Sequence, residues 1–115
     1  MSRIDTMVVR NLSEIPYIPT SHKIGTKQVI LANTETGSNV TQIARNILTK
    51  GSIVESHVHP SMDEHFLFLE GNGEMTIGEK HIKCIPDMFI LVPATVSHTL
   101  KANTQLKFIT FSVAL

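Results

Sequence analysis

The chain carries a single cysteine, Cys84, among 115 residues. An internal disulfide is therefore impossible, and a reducing cytoplasm is the expected location. Excess charge is also lacking: ten basic residues balance ten acidic ones, with neither a basic patch nor a charged tail. Nucleic-acid binding thus has no electrostatic support. No apolar run approaches the roughly 20 residues of a membrane span, so no membrane partner is expected. The opening segment, residues 1–10, has no uninterrupted apolar core, which argues against a signal peptide. Helical periodicity is missing from every long segment, as are linkers, low-complexity tracts and short repeats. These absences leave one domain of ordinary size, able to bury roughly two-thirds of its unfolded surface without disulfides.

What is present is a succession of short β-rich runs. Strands are predicted near residues 7–9, 27–32, 40–48, 53–58, 64–69, 74–77, 81–85, 88–92, 97–101 and 106–113, with turn residues between them. Short strands at this spacing imply an all-β sandwich or barrel. The run 64–69 orients the interior. If Glu64 points inward, so do Phe66 and Phe68, while His65, Leu67 and Leu69 point outward. Both faces are then largely apolar, whereas a half-exposed strand alternates apolar with polar. The run 88–92 is apolar at every position. The outer face therefore needs cover, and a homodimer is predicted.

The chemistry-bearing pattern begins at Gly51 and ends at Gly71. Between these glycines stand His57 and His59, two apart in a strand-like run, and Glu64, five residues after His59. Residues two apart on a strand share a face, with Cα atoms roughly 6.5–7 Å apart, so two imidazoles can converge on one ion. Glu64 returns to that face once the segment 60–63 has turned. His98 follows a second apolar strand. His57, His59, Glu64 and His98 make a mixed nitrogen/oxygen site suited to one divalent transition metal: Mn, Fe, Ni, Cu, Co or Zn.

The residues Gly51, His57, His59, Glu64 and Gly71 match the first cupin motif, G-x5-H-x-H-x4-E-x6-G, at every defined position. Of the second, G-x5-P-x-G-x2-H-x3-N, Pro93 and His98 match, Asp87 and Thr95 replace the glycines, and Asn103 stands one place beyond the terminal asparagine, at Ala102. The sequence thus resembles the small single-domain cupins over residues 40–113. The resemblance implies a double-stranded β-helix, or jelly-roll barrel, for residues 40–113, with residues 1–39 supplying N-terminal strands and loops that pack on the barrel or dimer interface. It also implies pairing through the apolar sheet, often with an exchanged N-terminal strand, here residues 7–9.

Other residues invite weaker roles. Glu64 is a candidate proton acceptor as well as a ligand, and His22 a candidate proton-moving group at the pocket lip. Arg45 could anchor an anionic substrate or form a rim salt bridge. It differs from Gln42 by an odd number, so both cannot face inward on a regular strand. Phe66 and Phe68 are core residues that could also form the pocket floor, and Met62 could cap its mouth. His65 should face away from the metal, His81 should be exposed, and Cys84 should be a small apolar strand residue. Four protein ligands leave about two positions open in an octahedral site, which favours a chelating sugar, keto acid or enediol. The expected function is a metal-dependent isomerase or lyase on such a small molecule. A metal-dependent dioxygenase and a non-catalytic binder or sensor are the alternatives.

Overall fold

The computed structural model describes residues 6–55 and 60–115. Among these residues ten strands form two antiparallel sheets: β1 (Ile18–Pro19), β2 (Thr26–Ala32), β3 (Val40–Leu48), β4 (Ile53–Val54), β5 (Met62–Glu70), β6 (Gly73–Ile77), β7 (Lys80–Cys84), β8 (Phe89–Val92), β9 (His98–Ala102) and β10 (Leu106–Ala114). The larger sheet runs β1-β2-β3-β10-β5-β8 and the smaller β4-β9-β6-β7. Among the described residues the remaining regular structure is two single 3-10 turns, and no helix is long and apolar enough to cross a membrane. The all-β jelly-roll expectation holds.

The sheets face each other across a core built from alternate residues. The larger sheet contributes Leu48, Phe66, Phe68, Ile90, Val92, Leu106 and Phe108; the smaller contributes Met75, Cys84, Leu100 and Ala102. Register decides where this core stops. On β5 the inward positions run Phe68, Phe66, Glu64, Met62. Their partners on β10 are Phe108, Thr110, Ser112 and Ala114, and β10 in turn sets Leu48, Asn46, Ala44 and Gln42 of β3 opposite Leu106, Phe108, Thr110 and Ser112. All three strands therefore pass from apolar to polar in the same direction. One end of the sandwich packs solid, and the other opens into a polar-walled cavity.

Turns carry the two replaced motif glycines. Asp87 and Thr95 both have positive φ, 75° and 72°. Each is the third residue of a turn closed by a backbone hydrogen bond, Met88 N–H to Ile85 O at 3.1 Å and Val96 N–H to Pro93 O at 3.2 Å. That is the type II position which glycine fills without strain. The motif's backbone conformation thus persists where its glycines do not. Gly71 has no such latitude: it lies at φ 86°, and a Cβ there would collide with the Gln105 carbonyl.

The predicted strands recur with boundaries shifted by one or two residues, with two exceptions. Residues 7–9 form no strand; Met7 and Val9 are exposed, and among the described residues no strand edge pairs with them. A strand needs a ladder partner, which composition alone cannot supply. The short strand β1, paired with β2, went unpredicted because its Pro19 removes a backbone donor. Of the predicted run 53–58, Ile53 and Val54 are strand and residues 56–58 lie outside the described residues.

Candidate functional site

The cavity at the polar end has a volume of about 410 Å³. Its floor is Phe66, Phe108, Leu48 and Leu100. Glu64 of β5, Gln42 and Asn46 of β3 and Lys27 of β2 line it from the larger sheet, with Ser112 of β10 between Glu64 and Gln42 in the register, and His98 of β9 lines it from the smaller sheet. Thr20, Ser21, His22, Glu55 and Met62 line it too, and are taken as its lip.

Glu64 and His98 approach from different sheets. His98 Nε2 lies 3.2 Å from Glu64 Oε2, and its Nδ1 lies 3.5 Å from the Val96 carbonyl. The ring edge meets Phe66 with centroids 5.7 Å apart. The Glu64 carboxylate raises the His98 pKa above the ordinary histidine value through this hydrogen bond, outweighing burial, which acts the other way. Both side chains are mostly buried, at 12% and 20% exposure.

Of the four expected metal ligands, Glu64 and His98 are thus neighbours on the cavity wall, and His57 and His59 lie outside the described residues. The described pair fits a metal ion. A backbone carbonyl facing Nδ1 leaves Nε2 toward the cavity, the orientation that second-shell contacts give a ligating histidine. The donors are a nitrogen and an oxygen, suited to a first-row divalent ion.

The remaining expected residues divide by strand parity. His22 lines the lip, with Nδ1 3.0 Å from Thr20 Oγ1 and 3.3 Å from the Ile24 N–H that it accepts. Met62 lines it too, its sulfur accepting from Thr41 Oγ1 at 3.5 Å. Phe66 forms floor, but Phe68 does not: it is fully buried behind Phe66, its ring centroid 5.5 Å from that of Phe108. Arg45 stands on the outer face, where Nε donates to Gln28 Oε1 at 2.7 Å and Nη2 to Tyr17 Oη at 3.0 Å. A substrate-anchoring role for Arg45 does not fit this position. Gln42 takes the inward place that parity denies to Arg45.

His65 faces outward, Nδ1 against the Phe111 carbonyl at 3.0 Å. His81 is exposed on β7. Cys84 is buried in the core, and burial pushes its thiol up to about 11. Polar cavity residues that the sequence did not single out include Lys27, Asn46, Thr110 and Glu55. Lys27 lies two residues before Val29, on the face of β2 set by pairing with Asn46 and Ala44 of β3, and no local pattern in the sequence points to it.

The family model described as "Cupin domain" matches residues 45–113. Among solved structures, a predicted oxalate decarboxylase from Thermotoga maritima is 24% identical with a TM-score of 0.84, covering 95% of this chain and 100% of that one. Ectoine synthase from P. lautus is 20% identical with a TM-score of 0.82, over 94% and 78% of the two chains. The cupin domain of an XRE family transcriptional regulator from Enterobacter cloacae is 19% identical with a TM-score of 0.69, over 79% and 97%. No protein of curated function matches the sequence.

Proposed function

The chain belongs to the cupin family, and we propose that it is a metal-dependent enzyme acting on a small, oxygen-rich metabolite by isomerase or lyase chemistry. The observation that carries this proposal is the Glu64–His98 pair, 3.2 Å apart on the wall of a cavity of about 410 Å³. His57, His59, Glu64 and His98 would hold the ion, which when bound polarises a carbonyl and stabilises negative charge next to it. The chain's own groups do the rest. Phe66, Phe108, Leu48 and Leu100 exclude water from beneath the substrate. The Glu64 carboxylate accepts a proton from the carbon beside the carbonyl and returns it to a neighbouring atom. His22 at the lip is the second group able to move protons there. Two relatives of this fold bear enzyme names and one is a regulator's domain. A binding or sensing role is therefore the second reading, and dioxygen chemistry with a redox-active ion the third. The lone, buried Cys84 is consistent with a proposed cytoplasmic location.

The deciding experiment is turnover of a panel of sugars, uronates, keto acids, flavonols and diketones, with oxygen uptake recorded. Glu64→Gln, matched for metal content, should lose roughly 10²–10⁴-fold in turnover. Equal turnover removes Glu64 as the base. Binding without turnover anywhere in the panel favours the sensor.

A further inference from the structure

We infer that Lys27 is the anion-binding residue of this cavity and that the substrate is an acid whose carboxylate pairs with the Lys27 ammonium. This rests on the proposal that the Glu64–His98 pair holds the reacting end.

The position is the first argument. Lys27 lies on the inward face of β2, opposite Asn46 of β3, and lines the cavity. Its Nζ reaches Gln42 Oε1, 3.0 Å away. Gln42 lies four residues from Asn46 along β3, and the inward residue between them is Ala44, fully buried and no larger than a methyl group. The lysine stem can therefore lie across the strand instead of turning out to solvent. The second argument is the partner. Two other cations meet carboxylates, Arg10 with Glu35 and Lys107 with Glu70, and Arg45 meets neutral groups on the outer face. Among the described residues Lys27 meets only the neutral Gln42 amide, so one of its three donors is engaged. Lys27 is half-buried, and the two remaining donors of its ammonium are open to an anion that enters the cavity beside it. Spacing is the third. Glu64 lies two strands across the same sheet from Gln42, with Ser112 between them, so about 10 Å separates the two positions at the usual strand spacing. A substrate carboxylate paired with Lys27 is thereby held off the Glu64 carboxylate while the other end of the molecule reaches it. Asn46 is held in place by Thr110, its Nδ2 donating to Oγ1 at 3.1 Å, which fixes the wall's shape.

The test uses two acids with the same 2-oxo acid head, 2-oxoglutarate and 2-oxopentanoate, which differ in the charge of the tail. Titration calorimetry is run on wild type, Lys27→Met, Lys27→Arg and Gln42→Glu, each with and without added Mn²⁺, and each checked for an unchanged melting profile. Gln42→Glu keeps the lysine and gives it an internal carboxylate. The expected result is that wild type prefers 2-oxoglutarate by roughly 10–100-fold, the worth of a hydrogen bond to a charged group. The preference should vanish in Lys27→Met and Gln42→Glu and survive in Lys27→Arg. Equal affinity for the two acids in wild type overturns the inference and leaves the metal proposal standing. A preference unchanged in Lys27→Met overturns it too, as does failure of wild type to bind either acid at millimolar concentration. A Lys27-dependent preference that is indifferent to Mn²⁺ supports the anion site while removing the metal proposal.

Discussion

At the scale of single residues, the chain reaches the family's backbone by unusual means. Thr95, at φ 72°, is β-branched in the left-handed region, and Asp87 at φ 75° is there with a more tolerant side chain. The left-handed conformation costs an L-residue roughly 1–2 kcal/mol, and a glycine forfeits about 0.5–1 kcal/mol of that saving to unfolded-state entropy. Thr95→Gly should therefore stabilise the fold by about 0.5–1 kcal/mol, with Asp87→Gly smaller in effect. A thermal melt checks this, and a lowered midpoint for Thr95→Gly would show that the turn is not strained. The turn leads directly into His98, and the Asp63 carboxylate pins it by accepting from the Ala94 N–H at 2.8 Å. Strain there is localised beside the site.

At the scale of elements, alternation was the legible signal and long-range pairing the illegible one. The burial of Phe66 and Phe68 and the outward His65 followed from the parity of β5 alone. So did the exclusion of either Gln42 or Arg45 from the interior. Which of the two faced inward depended on the register of β3 against β10, which no local pattern encodes. Lys27 was hidden for the same reason, since its face is set by pairing with β3. Residues 7–9 misled because strand propensity does not supply an edge to pair with. The Glu64–His98 contact joins the two sheets and has a pH signature. The His98 pKa is raised in the folded state. In metal-free protein the pair's stabilisation is thus complete below the unfolded histidine value of about 6.5 and is lost as pH rises through the raised folded value. Metal affinity runs the other way, growing with pH as the proton leaves. Urea unfolding of metal-free protein from mildly acidic to mildly alkaline pH should show wild type losing stability relative to His98→Ala. Parallel curves for the two would contradict the contact.

At the scale of the whole molecule, the outer face of the larger sheet is covered only in part. The N-terminal segment lies over β2 and β3: Gln28 Nε2 donates to the Leu12 and Ile15 carbonyls at 2.7 and 2.8 Å, and Tyr17 meets Arg45. At the far edge Phe89 and Leu91 of β8 remain 55% and 44% exposed, beside Leu67 and His65 of β5. We propose that a second copy covers them, and Leu91→Glu should convert the dimer to a monomer by light scattering. A wild-type monomer at micromolar concentration refutes this. Glu64 and His98 have their proposed chemistry only when an ion joins them. The most direct measurement is elemental analysis of wild type and His98→Ala, both purified without added metal. The expected result is about one transition-metal ion per chain in wild type and a severe loss in a still-folded His98→Ala. Metal-free wild type that also fails to take up added ion, or equal metal in the two proteins, would contradict it.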